Sequence, residues 1–241
     1  MALPKIKNPE YSTVLPLSNK RVSFRPYTVG DEKILLSAAA SRDKDPKFYI
    51  KNTLDVIRRC MGESGSVLDS LSAVDVEFLL LQIRSKSVGE IVEMKFQDKN
   101  TKKSVDVSIN LEKFYVKPYD SEIYTIKLTD TVGLKMRDLP FSEKITYGTR
   151  FTEKNRTDIV YETIVDCVES VFDDDTVYVV GKNCTKEEVR EMIEGIAGVS
   201  QQLYEFVNGM PQLAVDVQMP DGTTQTLTGS DIDFLASSQA T

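Results

Sequence analysis

Apolar and polar positions alternate with period two at both ends and in the middle of the chain, and recur at helical spacing in between. The run from Tyr11 to Arg25 contains two short β-prone stretches around Leu17-Ser18-Asn19, whose Ser and Asn suit a turn, so an N-terminal hairpin is expected. Thr28 stands three residues ahead of Asp31, where side-chain oxygens can satisfy free helix N–H groups. Ile34, Leu35, Ala38 and Ala39 supply an apolar stripe, which predicts a short helix over about 29–40. Asp45-Pro46 is an N-cap followed by proline at the first helical position, and Ile50, Leu54, Ile57 and Met61 continue at helical spacing. Arg58 and Arg59 lie in the last turn of that second helix, where cations meet the negative end of its dipole.

A loop rich in Gly and Ser, residues 62–66, leads to Ser72 and a mostly apolar run through Arg84 that predicts a largely buried helix. Val92, Met94 and Phe96, then Val105, Val107 and Ile109, alternate with polar neighbours on either side of Asp98–Lys103, the signature of a hairpin with one wet face. Period-two character returns at Ile123–Leu128 and Leu134–Arg137. From Thr157 the spacing of Val160, Ile164, Cys167, Val168 and Val171 predicts one helix running to the acidic triplet Asp173-Asp174-Asp175, followed by a strand at Thr176–Val180. Thr185 and Glu188 form a capping box ahead of Val189, Met192, Ile193 and Ile196, and a further helix is expected over Val199–Val207. Leu213, Val215 and Val217, the turn Pro220-Asp221-Gly222, and Thr224–Leu227 predict a closing hairpin; residues 235–241 read as a loose tail.

The fold class expected from this pattern is α+β, with antiparallel hairpins at both termini and in the centre and two groups of packed helices. Along the chain it divides into an N-terminal hairpin, helices and central hairpin (1–114), a β-rich connecting region (115–155), and a C-terminal helical region with a closing hairpin (156–241). No fixed-period repeat or low-complexity tract is present, which removes solenoids and arrays.

Charge changes the picture more than overall composition does. The net charge of −7 conceals an asymmetry: residues 1–120 hold 20 basic and 16 acidic side chains, whereas residues 121–241 hold 10 and 21. No Lys/Arg-dense segment supplies the clustered cations that phosphate neutralisation requires, so nucleic acid is not expected as the main partner. The N-terminus has no apolar h-region and no stretch reaches the length of a membrane span, so a soluble, unexported protein is expected. Cys60, Cys167 and Cys184 make no CxxC pair, and their odd number argues for reduced thiols rather than a disulfide framework. The chain contains no His, which excludes Ser-His-Asp and Cys-His nucleophile systems, His metal sites and imidazole acid/base chemistry.

The remaining chemical candidates are weak. Asp173-Asp174-Asp175 lacks EF-hand spacing and reads as a solvated loop. Gly195-Ile196-Ala197-Gly198 and Gly62-Glu63-Ser64-Gly65 match neither dinucleotide nor P-loop patterns, so no cofactor is expected. Two carboxylates can meet in space as glycosidases require, but no Trp offers the broad platform that carbohydrate sites often use. The sequons at Asn155 and Asn183 require export, and read instead as a helix cap and a loop. Arg84-Ser85-Lys86-Ser87-Val88-Gly89 is a cationic joint between a buried helix and a hairpin, open to a carboxylate or an acidic partner surface, or simply the end of a helix. Arg25, Arg84, Lys86 and Gly89 are the residues expected to contact a partner.

Several segments together resemble a known family. Met1–Ile6, Tyr11–Pro16 and Val22–Leu36 look like the opening of the T-even phage baseplate hub proteins. Asp75–Glu90 resembles their central helix and its exit, Asn110–Lys113 the segment after the hairpin, and Phe206–Leu213 with Leu227–Phe234 the closing elements. The resemblance covers most of the chain. It implies a myovirus tail protein, synthesised in the host bacterial cytoplasm and located in the virion baseplate, that is a hub subunit or hub-assembly component without enzymatic activity. Its partners would be other baseplate hub or tail proteins, with oligomerisation inside the tail as one arrangement. A transient assembly chaperone for the hub or tape-measure protein, and a tail-associated cell-wall hydrolase, are the alternatives. Some relatives in that family carry cysteines in the closing hairpin, and this chain has none beyond Cys184, so a metal-bound terminus is not inherited.

Overall fold

A computed structural model describes residues 7–97, 104–150, 152 and 154–228. Its elements in order are β1 (Tyr11–Val14), β2 (Arg21–Phe24), α1 (Val29–Ser41), α2 (Pro46–Met61), a 3-10 stretch (Gly62–Ser70), α3 (Ala73–Ser87), β3 (Ile91–Gln97), β4 (Ser104–Asn110) and β5 (Tyr115–Val116). There follow β6 (Thr125–Lys127), β7 (Gly133–Met136), α4 (Phe141–Arg150), α5 (Arg156–Cys167), β8 (Val168–Phe172), β9 (Val177–Val179), α6 (Lys186–Gly195), α7 (Ser200–Gly209), β10 (Leu213–Gln218) and β11 (Thr224–Thr228). The class is α+β, as the alternating pattern predicted, with hairpins at the N-terminus and in the centre. The Asp98–Lys103 tip and the tail from 235 lie outside the described residues.

The chain forms two compact units. One is the second unit, Pro118–Pro211; the other, the first unit, is made from the chain up to Lys117 and from Gln212 onward. The boundaries drawn along the sequence, at 114 and 155, group the closing hairpin with the helices before it. In space β10 instead pairs with β5, Leu213 opposite Val116 and Ala214 opposite Tyr115, so the closing hairpin completes a three-stranded sheet in the first unit.

In the first unit, period two explains the packing. Val92 of β3, Val107 and Ile109 of β4, and Leu213, Val215 and Val217 of β10 share one buried cluster with Val74 and Leu81 of α3. Each strand contributes alternate residues to that cluster, and Glu93, Asp106, Ser108 and Asp216 fall on the opposite faces. The N-terminal hairpin is fastened by a buried carboxylate. Asp75, fully enclosed in the first turn of α3, accepts from Leu17 N at 2.9 Å and Ser18 N at 3.0 Å, the two peptides of the β1–β2 turn. Residues 62–66, read as a loop, belong to the 3-10 stretch instead, and its Leu68 is buried in the first unit.

The second unit surrounds a four-stranded antiparallel sheet of order β6-β7-β8-β9, with Leu134, Ile164, Leu203 and Phe206 wholly or almost wholly enclosed. Two differences from the sequence reading lie here. Phe141–Arg150 is helical, although 115–155 was expected to be β-rich. The helix expected to run from Thr157 to the Asp triplet ends at Cys167, and Val168–Phe172 is the strand between β7 and β9. The cause is tertiary pairing. Val168 and Val171 continue the helical stripe on paper, but they are β-branched, and β7 and β9 take their peptide groups, with Leu134 opposite Val171 and Tyr178 on its other side. Both valines are buried in the strand, and an apolar stripe of a helix calls for the same residues, so the apolar pattern alone does not separate the two.

Candidate assembly surfaces

The first unit gathers the four residues expected to contact a partner around the junction of the N-terminal hairpin with α3, but gives them different tasks. Gly89 joins α3 to β3 with φ +142, a conformation that side chains other than glycine's rarely adopt. Lys86, one turn earlier, places its ammonium 2.5 Å from Glu112 Oε1 and 3.2 Å from Glu90 Oε1, and lies 5.8 Å above the Tyr11 ring. Ser85 Oγ donates to the same Glu112 oxygen at 3.3 Å. The hydrogen bonds that Lys86 donates to Glu112 and then to Glu90 favour the charged forms: they raise Lys86 above its ordinary value, and the Lys86 bond lowers Glu112. Lys86 is therefore a rivet between helix, hairpin and β1 as well as a surface charge.

Arg84 is only 5% exposed. Burial lowers its pKa, while the neighbouring Tyr27 phenol and Glu32 carboxylate act in the opposite direction. Tyr27 is itself pushed up to about 12 by burial, and its backbone N–H donates to Ser87 Oγ at 2.9 Å. The Tyr27–Ser87 bond thus ties α3 to the bend between β2 and α1, and the buried Arg84 beside it is not presented to an incoming protein. Two large apolar side chains stand exposed at this corner beside the glutamates: Val88 is 61% and Ile91 56% exposed, on either side of Gly89.

Arg25 occupies the other side of the same bend. Its Nη1 donates to Asp31 Oδ2 at 3.1 Å and to Pro26 O at 2.7 Å, and Arg59 Nη1 reaches Asp31 Oδ1 at 3.3 Å. Asp31 also closes the capping box of α1, accepting from Thr28 N and Thr28 Oγ1. Burial pushes the Asp31 carboxyl up, yet the Thr28 and Arg25 hydrogen bonds together hold it below the usual value. A carboxyl lowered on folding stabilises the fold above its unfolded pKa, near 3.9, and loses that contribution as pH falls through the folded value. Accordingly, Asp31→Asn is expected to lower the urea midpoint at pH 6 and to narrow the gap between pH 6 and pH 3. An unchanged midpoint at pH 6 would contradict this role.

The second unit carries the acidity. Pro118–Pro211 contains 10 Lys and Arg against 18 Asp and Glu, net −8, leaving +1 for the remainder of the chain. Of the acidic triplet, Asp173 builds the β8–β9 turn, accepting from Asp175 N at 2.9 Å and Thr176 N at 2.8 Å. Asp174 and Asp175 are exposed. Among the described residues no group of three His, Cys, Asp or Glu is placed to hold a metal ion. Asp166 gathers internal bonds in this unit: it receives Lys186 Nζ at 2.5 Å and the Tyr147 hydroxyl, and Arg137 Nη2 donates to Asp166 O at 2.7 Å. Burial, then the nearby Asp166 charge, raise Glu143, against the pull of Arg137 and Lys186. An open groove of about 780 Å³ lies between the β8–β9 pair and the start of α6, lined by Arg137, Glu169, Lys182, Asn183 and Lys186 among others. The sequon asparagines serve as clasps: Asn155 joins Arg150 O and Thr152 N across the α4–α5 turn without capping α5, and Asn183 binds β9.

These surfaces belong to a chain whose length is matched by one family model, described as T4 bacteriophage base plate protein, over residues 8–231. The chain belongs to that family. Comparison with curated proteins returned no match, and comparison with solved structures returned none. The match spans both compact units. The protein's place is the phage baseplate and its neighbours are other phage tail proteins. Among the described residues no helix is long and apolar enough to cross a membrane.

Proposed function

We propose that this baseplate protein is a component of the central hub, held there by protein–protein contacts and performing no catalysis. The observation that carries the reading is the family match through both units, joined to the hub-like segments Val22–Leu36 and Asp75–Glu90. Those two segments contain Asp31, Tyr27, Arg84 and Lys86, so the hub-like stretches are the ones that build the hairpin–α3 junction. Charge supports the same reading. Units of net +1 and −8 offer unlike neighbours different surfaces, and screening limits the effect to partners within about 8 Å at physiological ionic strength. The lack of His and the use of Asp166, Tyr147 and Lys186 in internal bonds favour a mechanical role over a hydrolytic one.

A phage carrying an early stop codon in this gene is expected to make tail components that do not join into complete baseplates, with infectivity restored by the chain supplied in trans. Normal particles from the mutant would contradict the proposal. Release of peptidoglycan fragments by the purified chain, abolished by replacing one carboxylate, would establish the hydrolase instead.

A further inference from the structure

The outer edge of β9 is closed by the chain's own next turn. Val179, Tyr178 and Val177 lie opposite Ser170, Val171 and Phe172 of β8. The flanking bonds, Val180 N to Glu169 O at 3.1 Å and Asp173 N to Thr176 O at 3.0 Å, commit residues 176 and 180, and with them 178, to β8. Val177 and Val179 therefore turn their peptide groups outward, where a sheet would take another strand. Asn183 occupies that place. Val179 N–H donates to Asn183 Oδ1 at 2.6 Å, and Asn183 Nδ2 donates to Val177 O at 3.3 Å. Lys182 N and Asn183 N donate to Val179 O at 3.0 and 3.2 Å. One side-chain amide thus imitates one residue of a neighbouring strand. The turn that delivers it pivots at Gly181, φ +81, with open space on the side a Cβ would occupy.

We infer that Asn183 is a removable plug, and that the β9 edge receives an extended segment of a neighbouring tail protein in which Lys or Arg alternates with apolar residues. The inference rests on the proposed function for the class of neighbour. An exposed amide competing with water holds the edge weakly, whereas an added strand supplies a ladder and covers Val177, which is 56% exposed, and Tyr178. Charge selects the occupant. Asp174 and Asp175 stand exposed at one end of β9 and Glu187 and Glu188 follow the plug, outnumbering Lys182 and Lys186 beside it, and the unit is net −8. A second copy paired edge to edge would bring the same acids together, while a cationic strand is attracted.

The test titrates the full chain with a short synthetic peptide alternating lysine and valine, and with a glutamate–valine control, while the Val177 and Val179 amides are followed by NMR. Asn183→Ala is expected to bind the lysine peptide about tenfold more tightly than the unaltered chain, from removal of the two side-chain hydrogen bonds to Val179 N and Val177 O. Both amides should gain exchange protection. Adding Val179→Pro, which removes the outward donor at a position where an edge strand tolerates proline, should abolish the gain, and circular dichroism checks that both variants are folded. Equal binding by Asn183→Ala and the unaltered chain, insensitivity to Val179→Pro, or self-association of Asn183→Ala in place of peptide binding would each overturn the inference. These results do not depend on the composition of purified tails. A chain absent from tails that still shows the plug behaviour contradicts the hub reading alone, and a hub subunit without it contradicts the plug alone.

Discussion

Asp75→Ala is expected to destabilise the first unit by about 2–5 kcal/mol, because it removes two hydrogen bonds to one carboxylate at once, each worth about 1.5–3 kcal/mol and less where water reaches the donor. The carboxylate is fully enclosed, and Leu17 N and Ser18 N lie 2.9 and 3.0 Å from its two oxygens. Asp75→Asn keeps one acceptor of the same shape and should recover part of the loss. Urea unfolding gives the magnitude, and hydrogen exchange gives the place: protection should fall at Leu17, Ser18 and the β1–β2 pairs, while amides in Pro118–Pro211 keep theirs. A uniform loss across both units, or none at the hairpin, would show that Asp75 is not the fastening.

Phe206→Ala is expected to cost about 3–5 kcal/mol in the second unit, the usual range for emptying a buried aromatic site. Phe206 is fully buried on α7 and meets the Tyr124 ring edge-on, with centroids 6.0 Å apart. Tyr124 is in turn anchored by its hydroxyl to Asp138, so the ring cannot easily swing into the space left behind. Phe206→Leu retains most of the volume and should lose much less. Here the urea transition of the second unit should move, and exchange at β7 and β8 should rise, with the Asp75 hairpin unaffected. A shift below 1 kcal/mol would mean that the site collapses freely around the cavity.

The positions of most elements were legible because local signals and packing agree. Thr28 with Asp31, Asp45 with Pro46, and Thr185 with Glu188 mark helix starts that the structure reproduces with the expected side-chain bonds. Alternation in β3, β4 and β10 correctly gives the buried face. Cys167-Val168 was not legible, because a helical stripe and a buried central strand demand the same apolar residues there. Nor could alternation reveal that β10 returns to β5 across the whole second unit, since pairing partners about a hundred residues apart leave no local trace.

The candidate surface was legible in location more than in role. Sequence spacing brought attention to Arg84–Gly89, and the structure places Arg25, Arg84, Lys86 and Gly89 around one junction. Charge alone did not show that Arg84 is enclosed beside Tyr27 or that Lys86 is held by two glutamates, because burial depends on β2, α1 and β4 packing onto α3. The exposed Val88 and Ile91 gave no signal in a pattern search tuned to cations. Asn183 was visible only as a sequon, and its role as an edge plug depends on register between β8 and β9.

The central claim, that this chain is a lasting part of the baseplate hub, is tested most directly by quantitative mass spectrometry of purified tails. The account predicts the chain in a fixed, whole-number ratio to other baseplate proteins and retained after high-salt washing. Its absence from purified tails, with abundance in assembling cell extracts, would contradict the claim and identify a chaperone that leaves once assembly is complete.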